Sequence, residues 1–197
     1  MRHRKAGKKL DRRDQERVAL YRNLTISLIE RFGNPKEFIF TTVAKAKAVR
    51  PFAEKIVTHA IKSREALEAA AKAAGTTVDG LHDLHVKGDE QGKRKKFKDF
   101  SPEVREKIAS SLHHRRLALS RLRFEPAVKA LIEKVAPRFI ERKAKKGQGG
   151  GYLRILRTSQ WVLGDGSTKA ILGWVGGEGQ QGTPAPRERK GATVGAK

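Results

Sequence analysis

Between Arg2 and Asn23 the chain carries Arg2, Arg4, Lys5, Lys8, Lys9, Arg12, Arg13, Arg17 and Arg22 against only Asp11, Asp14 and Glu16. Three carboxylates cannot neutralise nine cations, so most of this charge needs a polyanion from outside. Nucleic acid suits it: each cation that displaces a condensed counterion from a phosphate backbone gains affinity by ion release, which makes binding fast and salt-dependent. A disordered solubilising tail has a similar composition. Here the run leads directly into a periodic apolar stripe, which favours a phosphate-binding arm feeding a helix.

Residues suited to catalysis or metal binding do not assemble into a site. His82 and His85 fall on one potential helix face and His113 adjoins His114, yet no third ligand is placed by spacing, so these histidines read as polar surface, with His114 a candidate phosphate contact. The glycines at 147 and 149–151 precede a strand instead of a helix, and no Gly-Lys-Ser or Gly-Lys-Thr follows, so nucleotide-loop mechanics are missing. No Ser, His and Asp arrangement is defined, and there is no cysteine to make a disulfide or thiolate site. An enzyme, a cofactor, a metal and a small-molecule substrate are therefore not expected.

The elements that must position the cations follow from periodicity. Asp14 is placed to cap a helix with Val18, Tyr21, Leu24, Leu28, Ile29 and Phe32 on one side, ended by Gly33, Asn34 and Pro35. Phe38 to Thr42 reads as a short strand, and Thr42 sits where a helix cap belongs. The next helix shows Val49, Phe52, Ala53, Ile56, Val57 and Ala60 on its apolar face and is expected to kink at Pro51, then to run on Ala-rich propensity towards Gly75. Residues 76–100 lose periodicity and read as a loop or extension, with Lys93, Arg94, Lys95, Lys96 and Lys98 interleaved with Phe97 and Phe100. Those aromatics suit stacking on unpaired bases and packing on the body equally.

Ser101, Pro102 and Glu103 start a helix that should reach Leu122. A further helix from Pro126 places Val128, Leu131, Ile132 and Val135 on a core face and is expected to stop at Pro137. After the basic stretch from Arg142 to Lys146, Tyr152 to Thr158, Trp161 to Leu163 and Lys169 to Val175 read as β-structure, with a hairpin turn at Gly164, Asp165 and Gly166. From Gly176 onwards the chain is too poor in apolar residues to offset the entropy of ordering, and is expected to be free or RNA-wrapped.

Whole-chain composition agrees. Lys and Arg number 44 against 21 acids, a formal +23 over 197 residues, and such self-repulsion is tolerable inside a polyanionic complex. Hydrophobic residues make up 38%, enough for one modest core. No apolar run approaches a membrane span, and the N-terminus lacks both the apolar core of a signal peptide and the serines of a transit peptide, so it is read as the mature start of a cytoplasmic protein.

Several blocks resemble one family in order. Arg2-His3-Arg4-Lys5-Ala6-Gly7-Lys8-Lys9-Leu10 is followed by Arg22-Asn23-Leu24, then Thr41-Thr42 with Ala44-Lys45-Ala46-Lys47, then Glu54-Lys55-Ile56. Arg115-Arg116, Ala118-Leu119-Ser120-Arg121-Leu122, Gly150-Gly151-Tyr152 and Arg154-Ile155-Leu156 continue it. Together they resemble bacterial large-subunit ribosomal protein seventeen, over about residues 2–62, 113–136 and 149–175.

The resemblance implies an α/β (α+β) fold: helices packed on a small three-stranded mixed sheet, with a basic arm (1–13), one domain (14–175) and a flexible tail (176–197). An inserted segment, helical or loop-like, covers about 64–112. It implies a non-catalytic structural constituent of the large ribosomal subunit, bound to rRNA near the peptide exit tunnel beside neighbouring ribosomal proteins. The rRNA-binding residues expected on this basis are Arg2, His3, Arg4, Lys5, Lys8, Lys9, Arg12, Arg13, Arg17, Arg22, Asn23, Thr42, Lys45, Lys47, His114, Arg115, Arg116, Arg121, Tyr152, Arg154 and Arg157. Asp11 to Glu16 is more acidic than that family's usual stretch. A DNA-compacting protein is the alternative that shares the charge.

Overall fold

The computed structural model describes residues 8–79, 99–147 and 149–176. The expectations for Arg2, His3, Arg4 and Lys5, for His82, His85 and the basic run at 93–98, and for the tail beyond Gly176 lie outside the described residues. Helix α1 spans Asp14–Glu30, β1 Phe38–Thr42, α2 Val43–Ala73, α3 Pro102–Leu122, α4 Glu125–Ala130 and α5 Ala136–Lys146. The hairpin strands β2 (Leu153–Trp161) and β3 (Thr168–Trp174) follow.

Helix α2 is the spine. Its 31 residues make it about 45 Å long, and Ala46, Val49, Ala53, Ile56, Val57, Ala60 and Ile61 bury a continuous stripe that receives α1, α3, α5 and the sheet. Thr42 caps it as its position predicts, the hydroxyl accepting the Lys45 N–H at 3.4 Å. Pro51 lies inside an unbroken helix on an exposed side. The buried stripe on either side outweighs the roughly 3 kcal/mol that an interior proline costs.

The sheet order is β1-β3-β2, and both pairs are antiparallel. This corrects the expected mixed sheet. The two-element hairpin fixes β2 against β3, and β1 joins the other side of β3 running opposite to it, so no parallel pair arises. The hairpin turn at Gly164 to Gly166 forms as expected, with the Val162 N–H bonded to the Ser167 carbonyl at 3.0 Å. β2 continues to Trp161 through a register irregularity between Arg157 and Trp161, which joins two stretches read separately from sequence.

The core lies between the sheet, α1, α2 and α5. Trp174 is fully buried and donates its indole N–H to the Leu28 carbonyl at 2.9 Å. Phe139 stands between Tyr152 and Trp174, with ring centroids 5.0 and 5.9 Å away. Glu37 locks one corner: its carboxylate accepts the Gly33 N–H at 2.9 Å and takes two bonds, 2.9 and 2.7 Å, from Arg138, whose guanidinium also lies over the Phe32 ring.

Three helix boundaries differ from expectation. Asp14 is the first helical residue, not the cap; it pairs with Arg17, and Arg13 occupies the cap position without a side-chain bond. Ser101 stands at the α3 cap position, but its hydroxyl makes no capping bond. Pro137 does not end its helix. A π-turn at Leu131–Val135, closed by the Ala136 N–H on the Leu131 carbonyl, sets Pro137 into the opening turn of α5, where a missing donor costs little.

The C-terminal half of α2 and the N-terminal half of α3 extend beyond the main core as a helix pair. A small cluster of Ala70 and Val104, with Leu67, Ala74, Phe100 and Ile108 around it, holds them together. At its base the buried Ser63 hydroxyl lies 3.0 Å from both the Ser111 carbonyl and the Ser111 hydroxyl. Phe100 therefore packs on this helix pair, whereas Phe97 lies outside the described residues.

Candidate nucleic-acid interface

The cations expected to meet phosphate fall into three groups. Lys8, Lys9, Arg12 and Arg13 are exposed ahead of α1, on either side of a bend in which Leu10 and Asp11 take left-handed φ angles of 54° and 51°. Arg17 folds back onto Asp14. Arg22 is half-buried and donates Nε–H to the Arg121 carbonyl at 2.7 Å, tying α1 to the end of α3. That bond uses one of five guanidinium donors and leaves the others for a ligand. Asn23 is exposed beside it.

A second group lines a groove of about 470 Å³ between α2 and the edge strand β2, formed by Lys47, Arg50, Pro51, Glu54, Ile155 and Arg157. Lys47 and Arg157 are expected rRNA contacts from the sequence, which does not bring them together; the fold does, and adds Arg50. Glu54 accepts from Arg50 at 3.0 Å, so this one carboxylate faces three cations. Pro51, which lines the groove between Lys47 and Glu54, has no N–H to offer the Lys47 carbonyl one turn earlier. Lys45 is half-buried near the start of the same helix, and Thr42 is committed to capping it.

The third group sits where α2 meets α3. His59 and His114 lie with ring centroids 5.6 Å apart, and His113 stacks edgewise on His114 at 5.3 Å. Burial, then the His114 ring and the charges of Arg121, Lys62 and His113, hold the His59 pKa below the ordinary imidazole value. His114 is lowered for the same reasons, burial first, then His113 and Lys62. The neutral form of both rings is thereby favoured within a cationic corner, and the Nδ1 of each is buried without a protein partner. His59 escapes a sequence reading because it is a lone imidazole; its spacing to Lys55 and Lys62 on one helix face is the available signal.

Arg115 pairs with Glu125 at 3.0 Å, an exposed contact of the kind that contributes only about 0–1 kcal/mol and that a phosphate can displace. Arg116 is exposed and Arg121 half-buried. Tyr152 is buried, its ring against Phe139 and beneath the Arg142 guanidinium, which also donates to the Gly150 and Gly151 carbonyls. Arg142 thereby shapes the glycine-rich turn. Arg154 lies on the sheet face turned away from the helices. Among the described residues no group of three His, Cys, Asp or Glu side chains could hold a metal, and no helix is long and apolar enough to cross a membrane.

Comparison with known proteins places these surfaces in context. Residues 20–175 match the family model described as Ribosomal protein L17. The chain is similar to the large ribosomal subunit protein bL17 of Rhodopirellula baltica, 36% identical over 89% of this chain and 81% of the relative. It is similar also to the bL17 proteins of Thermomicrobium roseum, at 33% over 89% and 99%, and Acidobacterium capsulatum, at 34% over 90% and 74%. With its α+β fold and the resemblance first carried by Arg22-Asn23-Leu24, Thr41-Thr42 and Gly150-Gly151-Tyr152, the chain belongs to the ribosomal protein L17 family, structural and non-enzymatic components of the large ribosomal subunit.

Proposed function

We propose that this chain binds and stabilises large-subunit rRNA near the peptide exit tunnel, working in the cytoplasm as a rigid mount for a set of cations. The arm at 1–13 meets phosphates first, and the domain at 14–175 fixes the register of three cationic surfaces. These are Arg17, Arg22 and Asn23 on α1; Lys47 and Arg157 at the groove, with Lys45 near the start of α2; and His114, Arg115, Arg116 and Arg121 on α3. The segment at about 64–112, read as an insertion, meets additional rRNA or a neighbouring protein or stands in solvent, and the tail beyond 176 is free or RNA-wrapped.

One observation carries this reading: residues distant in sequence converge in the groove, where Lys47, Arg50 and Arg157 face a single carboxylate. Three converging cations match a phosphate backbone, because such contacts position a protein on folded RNA by shape and charge. Sedimentation of a lysate through high salt tests it. Co-migration of the tagged chain with large subunits is expected, together with loss of that association when Lys47 and Arg157 are both changed to Glu. Recovery in the nucleoid, as for a DNA-compacting protein, or in free fractions would refute it.

A further inference from the structure

The sheet has one face on the helices and one turned outward. Ile39, Leu172 and Ile155 form an inward row, and the next row, Phe40, Ile171 and Leu156, faces out by the alternation of the strands. Phe40 is 64% exposed and Leu156 36%. Phe38, two residues before Phe40 on the same side, meets it edge to face at 5.4 Å. Phe38 and Arg154 flank Gly173, which is buried between them although it lies on the open face. Arg154 and Lys169 stand at opposite ends of this surface, and the three strands contain no Asp or Glu.

We propose that this face is a stacking platform for an unpaired rRNA base, with Phe40 beneath the base, Phe38 bracing the ring, and Arg154 and Lys169 taking the flanking phosphates. The proposal rests on the rRNA-binding reading above and adds a contact by ring stacking to one otherwise made of charges. Size and charge select the occupant. A whole aromatic side chain carries about 150–250 Å², so a partly covered row of three apolar side chains offers at most roughly 300 Å². A stable protein interface needs on the order of 800 Å² from each partner. One aromatic ring bordered by cations and no acid instead matches a base with its phosphates.

The test uses the full chain and protein-free large-subunit rRNA at fixed salt, with far-UV circular dichroism to confirm that each variant is folded. Stacking on an aromatic ring is expected to be lost in Phe40→Leu, which keeps the apolar volume but has no ring. Binding should weaken by about 5- to 150-fold, the equivalent of the ~1–3 kcal/mol that one stacked base contributes, with the salt slope unchanged because stacking releases no counterions. Phe40→Trp should bind as tightly as the parent, its added fluorescence quenched by RNA. Parent-like affinity of Phe40→Leu, while the parent binds with its full salt slope, overturns the platform, leaves the face to a protein neighbour and leaves rRNA binding standing. Failure of the parent chain to bind rRNA overturns both.

Discussion

At the scale of single residues, the α2–α3 corner makes the free chain sensitive to mild acid. His59 and His114 have folded-state pKa values below the ordinary 6.5, chiefly through burial, with His113, Lys62 and Arg121 adding like charge. In the unfolded chain these two rings therefore bind more protons than in the folded one between the depressed values and 6.5, so their contribution to stability falls as pH drops through that window and is fully present above it. Urea midpoints at pH 7.5, 6.5 and 5.5 should decline below 6.5. His59→Gln should flatten part of that decline, and equal slopes for parent and variant would rule out His59 as a source. Residues of this kind are half legible in the sequence. Thr42 can be read as a cap because a cap and its helix are adjacent, and the order of family blocks leads to Arg22 and Arg121. The bond between those arginines, the pairing of His59 with His114 and the Glu37–Arg138 lock cannot be read in that way, since each joins segments far apart in the chain.

At the scale of elements, legibility follows the strength of local signals. β1 is readable to the residue, as is the end of α3 at Leu122, because β-branched and aromatic runs and periodic stripes are local. Pro137 misleads because a proline stops a regular helix, whereas a π-turn just before it absorbs the missing donor. Asp14 misleads for a similar reason: its carboxylate can either cap the helix or pair with Arg17, and the pair forms. What holds the extended α2–α3 pair to the body is also non-local. Ser63 and Ser111 satisfy each other in a buried site at the base of the pair. Ser63→Ala should cost about 1–3 kcal/mol, because the Ser111 hydroxyl is left buried with no partner hydroxyl, and Ser63→Ala with Ser111→Ala together should cost less than the sum of the single changes. Chemical denaturation around the double-mutant cycle measures the coupling. Strict additivity would show that helix packing around Ala70 and Val104, not this bond, secures the pair.

At the scale of the whole molecule, salt must act with opposite signs on folding and on RNA binding. A chain at +23 repels itself, and the described ion pairs, such as Arg17–Asp14 and Arg115–Glu125, are mostly exposed and short of carboxylates to spare. Raising ionic strength shortens the Debye length from about 30 Å at 0.01 M to about 8 Å at 0.15 M, which screens that repulsion. The melting temperature of the free chain should therefore rise over the same range in which affinity for large-subunit rRNA falls by counterion release. The arm decides how steeply it falls. Removal of residues 2–13 should not lower the melting temperature of the folded body, since Lys8, Lys9, Arg12 and Arg13 are exposed, the core begins in α1 and the loss of these cations relieves repulsion. The same truncation should lower the slope of log affinity against log salt by about 0.7 for each phosphate that the arm no longer neutralises, taking single-strand behaviour as the measure. Filter binding across a salt series gives that slope directly. An unchanged slope would move the anchor from the arm to the groove and the α2–α3 corner, where the cations are held by folded structure and the weakening would instead follow Lys47→Glu or Arg157→Glu.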